Sequence, residues 1–221
     1  MSAPEGRDRR AIPQRSSRWA SRAADLLARA RLTPNQLSVG SVLVSVAGAG
    51  ALLASADAPA GARAALLIVA AVCAPVRLLL NMLDGMLAVE KGLRSPTGEL
   101  FNEVPDRIAD VVFLAAAGYA AGMPALGWTA ASLALLTAYV RTLGAAQGVG
   151  NFFDGPMAKP RRMWVLVVAC LVSPFEPVLG DGRGAALAVG LALISVGSSV
   201  TVVVRLQRIA SALRGSAGGT P

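Results

Sequence analysis

The sequence predicts an all-α, polytopic membrane protein: six transmembrane helices preceded by an amphipathic N-terminal surface helix. Three observations support this class. The chain of 221 residues is 54% hydrophobic and only 15% charged, whereas about 25% of the residues of a soluble domain are charged. Uncharged runs cover Val39–Ala56, Ala64–Val76 and Gly184–Val204, and about 20 apolar residues cross the hydrocarbon core as a helix. These runs are continuous rather than alternating in polarity, which argues against a transmembrane β-barrel.

Residues 1–34 are expected to form a basic N-terminal segment that contains an amphipathic juxtamembrane helix. Within Gln14–Leu32, apolar side chains such as Trp19 and Leu26 fall roughly on one face and arginines on the other. This is the pattern of a helix that lies on the membrane surface, and a disordered basic tail is the alternative. The sequence Thr33-Pro34-Asn35 ends the helix. No signal peptide is expected, because no short apolar segment precedes a cleavage site.

Six spans are expected to form the transmembrane domain, residues 35–205, and a basic cytoplasmic tail, 206–221, follows it. Pro174 and Pro177 shorten the fifth apolar run. The predicted spans are Asn35–Ala56, Ala64–Val89, Gly98–Gly122, Pro124–Gln147, Arg162–Pro177 and Gly184–Arg205.

Lysine and arginine indicate the orientation of the chain. Six spans place both termini on one side of the membrane, and most of the basic residues lie in the segments or helix ends of that side. The turns of the other side hold only Arg63 and Arg183. The positive-inside rule therefore predicts a cytoplasmic N-terminus in the inner (cytoplasmic) membrane. The net charge of +8 indicates anionic membrane lipids as partners, rather than nucleic acid.

Histidine is absent from the sequence, and this limits the chemistry. His-ligated zinc or haem and Ser-His-Asp hydrolysis are excluded. The two cysteines, Cys73 and Cys170, lie in apolar runs and are expected to be thiols rather than a disulfide. Any bound metal ion would therefore have oxygen ligands.

Polar side chains concentrate on both sides of a predicted cytoplasmic turn at 91–97, within the sequence NMLDGMLAVEKGLRSPTGELFNEVPDRIAD. Their spacing of three or four residues places each set on one face of its helix. If the two helices are antiparallel neighbours, the deeper residues of each should face one another, and so should the shallower ones. At ~1.5 Å per residue these groups lie roughly 5 to 15 Å below the cytoplasmic end. We expect Asn81 to face Asp106 and Asp84 to lie near Asn102, with Asp110 one turn deeper.

Mg²⁺ takes oxygen ligands and commonly joins carboxylates to the phosphates of a substrate. A carboxylate that is not fully used by a metal ion can act as a general base toward an alcohol. The cluster therefore favours displacement at a phosphate by a hydroxyl group. An internal salt-bridge cluster and a proton or ion path are the alternatives. In the salt-bridge alternative, three acids would pair with three arginines, namely Asp84, Asp106 and Asp110 with Arg77, Arg107 and Arg141.

This segment resembles the motif of the CDP-alcohol phosphotransferase (CDP-alcohol phosphatidyltransferase) family, D-x-x-D-G-x-x-A-R, about eight residues, then G-x-x-x-D-x-x-x-D and a basic residue. The spacing is complete, and the six spans and the surface helix also look like that family. The matching positions of this sequence are Asn81, Asp84, Gly85, Ala88 and Val89, then, after eight residues, Gly98, Asn102, Asp106 and Arg107.

The resemblance implies transfer of a phosphatidyl or similar phosphoryl-alcohol group from a CDP-linked lipid donor to a small acceptor alcohol, with release of CMP, in phospholipid biosynthesis. It implies Mg²⁺ or Mn²⁺, usually two ions among the four motif acids, and a homodimer. Asp106 would be the catalytic base. The implied metal ligands are Asn81, Asp84, Asn102 and Asp106; Gly85 and Ala88 would line the nucleotide pocket, and Gly98 leaves room for a ligand.

Two of the four motif acids are amides here, Asn81 and Asn102, and Val89 replaces the motif arginine. Fewer carboxylates attract a divalent cation less strongly. Glu103 and Asp110 are candidates to compensate, and a register shifted to Asp110 is a second possibility. The alternative function is therefore a catalytically weakened member that binds a CDP-lipid or a partner without turnover. An ion-coupled transporter is a third.

Cations outside the motif are candidates for binding a substrate phosphate. Lys159, Arg161 and Arg162 lie in or next to a predicted cytoplasmic loop, where positive-inside anchoring is the alternative interpretation. Arg141 lies near the cytoplasmic end of the fourth span, and we expect it to pair with Asp106 or with a phosphate.

Overall fold

The computed structural model describes residues 18–90, 97–179 and 182–217. The first part of the predicted basic segment and the predicted turn at 91–96 therefore lie outside the described residues. The chain is α-helical, and a 3-10 turn, Ser173–Phe175, joins α6 to α7. The helices are α1 Arg18–Arg29, α2 Pro34–Ser55, α3 Ala60–Glu90, α4 Gly98–Ala120, α5 Pro124–Ala146, α6 Lys159–Val172, α7 Glu176–Leu179 and α8 Ala185–Ala217.

The predicted surface helix corresponds to α1, whose Ala20 and Ala24 are buried against α3 while Trp19 and Leu26 are exposed. Between α1 and α2 the chain turns at Thr33. The Thr33 side chain accepts a hydrogen bond from the backbone N–H of Gln36, and the Gln36 side chain accepts one from that of Thr33. This capping box starts α2 at Pro34.

Six helices form a closed ring in the order α2, α4, α5, α8, α6 and α3. In addition, α4 contacts α8 across the ring. The core between the helices is apolar and includes Leu52, Phe113 and Leu187, which are fully buried. Large apolar side chains also cover the outer surface, as Leu43 and Val196 do, each 65% exposed. Such a surface is suited to lipid rather than to water.

Within the part of the chain that the structure describes, three helices are long and apolar enough to cross a membrane by length and composition: Pro34–Ser55, Ala60–Val89 and Ala185–Gly215. The prediction of an all-α membrane protein is therefore confirmed. The other three members of the ring do not meet that criterion: α6, with 14 residues, is too short, whereas α4 and α5, with 23 residues each, are long enough but fail on composition. The predicted boundary at residue 205 lies inside α8, which continues to Ala217.

The expectation that α3 and α4 are direct neighbours is wrong, because α2 lies between them and packs along both. Gly48 of α2 shows how close this packing is. A Cβ atom at Gly48 would lie 2.6 Å from the Phe113 ring of α4 and 2.8 Å from Cys73 of α3. The absence of a side chain at Gly48 lets α2 fit between the two helices. Only side chains bridge the space between α3 and α4 at the site.

Candidate active site

Asp106 of α4 lies at the centre of the polar cluster and is buried. Its Oδ1 accepts hydrogen bonds from Asn81 Nδ2 at 2.6 Å and from an Arg77 guanidinium nitrogen at 3.1 Å, both on α3. Lys159 Nζ, at the start of α6, contacts the same oxygen. The other oxygen, Oδ2, lies 3.5 Å from Arg107. The predicted contact of Asn81 with Asp106 is thus present, and two cations accompany it.

Asp84 of α3 is 2% exposed and lies against α2. Its Oδ2 accepts a hydrogen bond from Ser38 Oγ at 2.8 Å. Its Oδ1 is buried and has no hydrogen-bond partner among the described residues. A buried carboxylate oxygen without a donor is costly, and a cation is the ligand that such an oxygen favours.

Asn102 does not join the cluster. It is exposed on α4, whereas Asp84 is buried. The expected proximity of Asn102 to Asp84 stays a prediction. The polar contact that the structure gives Asp84 comes instead from Ser38 of α2.

Asp110 is buried one turn deeper than Asp106 and is neutralised by two arginines. One oxygen lies 2.7 Å from Arg77, and the other accepts a hydrogen bond from Arg162 at 3.0 Å. The Arg162 guanidinium also donates to Thr137 Oγ1 at 3.0 Å. Because both carboxylate oxygens are occupied, Asp110 does not compensate for the missing acids, and nothing in this geometry favours the shifted register.

Glu103 lies on the other side of Asp106 and pairs with two arginines. Its oxygens lie 2.9 Å from Arg107 and 2.6 Å from Arg141. Glu103 is therefore not free to act as a metal ligand. The expectation that Arg141 pairs with Asp106 is wrong, since Arg141 bonds to Glu103 and stacks over the Phe153 ring at 5.6 Å. Glu103 follows Asn102 by one residue, so its side chain is rotated by about 100° around the helix axis and points toward α5.

A cavity of about 150 Å³ opens beside Asp106 between α4, α5, α6 and α8. Its polar lining is mainly cationic, with one carboxylate, that of Glu103. Fixed guanidinium and ammonium groups around a small cavity favour an anion such as a phosphate. The basic residues that line it are Arg107, Arg141, Lys159, Arg162 and Arg205.

The remaining predicted site residues are Gly85, Ala88, Gly98 and Arg161. Gly85, Ala88 and Gly98 are half-buried at the ends of α3 and α4 next to the turn. Arg161 is exposed and donates to the backbone carbonyl of Pro156 at 3.0 Å, outside the lining of the cavity. Its predicted substrate contact stays a prediction.

Sequence reasoning missed Ser38, Thr137 and Arg205. Arg205 donates to the backbone carbonyls of Asp154, at 3.0 Å, and of Thr137, at 2.5 Å. A signal for Arg205 existed, because it is the charge that ends the uncharged run Gly184–Val204. Ser38 had no such signal, since serine is common on every face of a transmembrane helix.

The cluster combines features of two predicted arrangements, the internal salt-bridge cluster and the metal-binding site. Arg77 forms the ion pairs of the salt-bridge alternative with Asp106 and Asp110, while Asp84 stays outside them. Among the described residues, no three His, Cys, Asp or Glu side chains converge as a metal-binding group. The ligands that remain for a cation are the free oxygen of Asp84 and the polar atoms nearest to that oxygen.

The arrangement of helices is similar to that in three solved structures of one enzyme. The chain is similar to phosphatidylinositol phosphate synthase (PgsA1) of Mycobacterium tuberculosis solved with CDP-DAG bound, with a TM-score of 0.71 and 24% identity over 87% of this chain and 94% of that one. The same enzyme with manganese and citrate gives 0.70 and 24% over 86% and 88%. Its apo form gives 0.66 and 25% over 84% and 93%.

These structures belong to a member of the CDP-alcohol phosphotransferase family, so the resemblance of the motif is confirmed at the level of the fold. No protein-family model and no curated protein sequence matches the chain.

Proposed function

We propose that this protein is a metal-dependent CDP-alcohol phosphotransferase. It would move a phosphatidyl (phosphoryl-alcohol) group from a CDP-linked lipid to an acceptor alcohol and release CMP, in phospholipid biosynthesis. The observation that carries the proposal is the position of Asp106, which contacts Asn81, one helical turn from Asp84 on α3, and also Lys159, which lines the cation-lined cavity. The similar enzyme binds CDP-DAG, which supports a CDP-linked donor here.

Mg²⁺ or Mn²⁺ fits part of this site. Asp84 offers a buried oxygen without a hydrogen-bond partner, and this is where the chemistry of the donor set calls for a cation. Asp84, with the amide oxygen of Asn81, would hold the ion, and Asn102 would have to turn inward to join them. The predicted role of Asp106 as a metal ligand gives way to its role as the base, because its Oδ1 already has three donors. When bound, a divalent cation supplies positive charge to the diphosphate of the donor.

Asp106 would act as the base. Its Oδ1 is fixed by three donors, which leaves Oδ2 for the acceptor. The acceptor O–H gives its proton to this oxygen, and the alcohol oxygen bonds to the lipid-side phosphorus. The bond from that phosphorus to the bridging oxygen breaks, and CMP departs with the electron pair. Positioning and charge stabilisation supply most of the catalysis in such transfers.

The cation-lined cavity would hold the acceptor or a phosphate of either substrate. Its volume of about 150 Å³ suits a small polar group rather than an acyl chain. Arg107, Arg141, Lys159 and Arg162 would bind an anion there, and Gly85 and Ala88 would face the nucleotide. An alcohol that itself carries a phosphate is therefore a good candidate acceptor.

The proposal also includes topology. We infer six spans, a cytoplasmic N-terminus and a site that opens to the cytoplasm in the inner membrane. The site end of the bundle holds most of the basic residues, whereas Arg63 and Arg183 lie at the opposite end. The division into segments 1–34, 35–205 and 206–221, anionic lipids as partners and a homodimer belong to the same proposal.

One observation favours the second candidate function, a CDP-lipid-binding member without turnover. Asp106 already forms contacts with two cations and an amide, and Asn102 is exposed. A chain with this site would bind the donor through its cations and fail to activate the acceptor.

The test is CMP release from CDP-diacylglycerol by purified protein with Mg²⁺ or Mn²⁺, with a panel of neutral alcohols and alcohol phosphates. The proposal predicts release with at least one acceptor and none without an acceptor. Donor binding is measured in parallel by displacement of a labelled donor. Donor binding without release for every acceptor would favour the second candidate, and absence of both would reject the two together.

A further inference from the structure

The acids of the site are already neutralised by the protein itself. Arg77 pairs with Asp106 and Asp110, and Arg162 pairs with Asp110. Lys159 and Arg107 both contact Asp106. Three buried carboxylates, those of Asp84, Asp106 and Asp110, are therefore accompanied by four cations.

Two divalent cations would add four positive charges to a cluster in which cations already outnumber the buried acids. Charges a few ångströms apart in a partly buried site repel strongly, by several kcal/mol per pair at an effective dielectric constant of about 20. The described groups have no acid left to absorb that excess, because Glu103 is held by Arg107 and Arg141. Among the described carboxylates of the cluster, Asp84 Oδ1 has neither a hydrogen-bond donor nor an ion-pair partner, whereas Asp110 Oδ1, which also lacks a hydrogen bond, lies 2.7 Å from Arg77.

Lys159 is held firmly in its position. The loop before it is tied to α8, since the Met157 N–H donates to Thr201 Oγ1 at 2.9 Å and Arg205 Nε donates to the Asp154 carbonyl at 3.0 Å. Gly155 has φ +116°, and a Cβ there would lie 2.5 Å from Thr201. The backbone at the start of α6 is therefore fixed, and it directs the Lys159 ammonium at Asp106.

We propose that Lys159 is a built-in cation that replaces one divalent metal ion at Asp106. The site then takes a single Mg²⁺ or Mn²⁺, at Asp84, while Lys159 and Arg77 neutralise Asp106. This explains how Asp106 is neutralised in a chain whose two substituted motif positions, Asn81 and Asn102, carry no charge for a second metal ion. The inference rests on the proposed function for the kind of site involved, and it concerns cation binding, which needs no turnover.

The experiment is a Mn²⁺ titration of the full-length protein in detergent, with the EPR signal of free Mn²⁺ reporting the amount bound and no lipid donor present. Wild-type protein is expected to bind one Mn²⁺ per chain. Asp84→Asn should abolish this binding, and Asp57→Asn, an exposed carboxylate between α2 and α3, is the matched control that should bind normally.

Lys159→Met should bind Mn²⁺ roughly tenfold or more tightly, because one nearby positive charge is removed. Lys159→Arg, which keeps the charge, should bind like wild type. Size-exclusion elution and thermal unfolding identify any variant that fails to fold. If Lys159→Met does not fold, Lys159→Arg still tests the proposal, because roughly tenfold tighter Mn²⁺ binding by Lys159→Arg would overturn it.

Two Mn²⁺ ions per wild-type chain, or none, would also overturn it, as would unchanged affinity in folded Lys159→Met. These readouts are independent of CMP release. If no CMP is released but one Mn²⁺ binds at Asp84, the proposed function fails and the inference stands. If CMP is released but Mn²⁺ binding differs from this expectation, the inference alone is rejected.

Discussion

The two ends of the bundle both bury charged side chains but use them differently. At the end far from the site, Arg63 donates to the backbone carbonyl of Ser55 at 2.9 Å and to Ser173 Oγ at 3.4 Å. Glu176 accepts hydrogen bonds from the backbone N–H groups of Gly184 and Ala186, both at 2.7 Å. These charges fasten the backbone at the ends of helices.

At the site end, the buried charges pair mainly with each other through side chains and border a cavity. Asp106 lies against Arg77 and Lys159, and Asp84 keeps one oxygen without a hydrogen-bond partner among the described residues. Buried charges at the far end therefore hold the structure together, whereas those at the site end can exchange their protein partners for a ligand. Changes at one end should therefore alter stability, and changes at the other should alter binding and turnover.

The largest expected effect is that of Asp106→Asn on turnover. Loss of the base should lower the rate of CMP release by about 10²- to 10⁴-fold, measured with the acceptor that gives the fastest wild-type rate. Asp57→Asn, the same chemical change far from the site, should leave the rate within twofold of wild type. Release at the wild-type rate by Asp106→Asn would remove Asp106 from the mechanism.

Glu176→Gln should affect stability instead. The change weakens two hydrogen bonds to a charged group, which corresponds to about 2 kcal/mol of unfolding free energy. Thermal and denaturant unfolding in detergent measure the loss. Mn²⁺ affinity should stay unchanged. A Glu176→Gln protein with wild-type stability but weaker Mn²⁺ binding would contradict the proposed difference between the two ends.

Gly118→Ala tests the packing that holds the site helices in place. A Cβ at Gly118 of α4 would lie 2.6 Å from the Gly127 Cα atom of α5, so the two backbones must separate. We expect a loss of about 1–2 kcal/mol. Gly50→Ala, which meets no atom within 4 Å, is the control and should be neutral or slightly stabilising, since alanine favours a helix. Equal stability of the two variants would contradict the packing described here.

The smallest effect is expected for Glu103→Gln. Removal of this carboxylate frees Arg107 and Arg141, so inorganic phosphate should bind a few times more tightly, because a half-exposed charge is partly screened by solvent. Isothermal titration with phosphate measures the change at low salt. Weaker phosphate binding in this variant would show that Glu103 supports the cavity rather than competing with an anion.

Much of the fold could be predicted from the sequence because lipid imposes long uncharged helices. The all-α membrane class was predicted correctly on that basis, and the predicted start of the first span at Asn35 lies one residue from the observed start of α2 at Pro34. The contact of Asn81 with Asp106 was also predicted, since both lie deep on helices that turn back at the same point. These features follow from local periodicity and length.

The order of helices around the ring could not be predicted, and the errors at the site follow from it. Nothing local in α2 says that it lies between α3 and α4, so Ser38 was not expected beside Asp84, and Asn102 was expected there instead. Lys159 illustrates the same limit. It lies 53 residues from Asp106 in the chain, and only the packing of α6 against α3 and α8 brings the two together.

The most direct test is the anomalous scattering of Mn²⁺ in crystals of the full-length protein grown with saturating Mn²⁺. The account predicts a single peak within coordination distance of Asp84 Oδ1, with the Lys159 ammonium still against Asp106. No peak at Asp84, or two peaks with Lys159 displaced from Asp106, would contradict it.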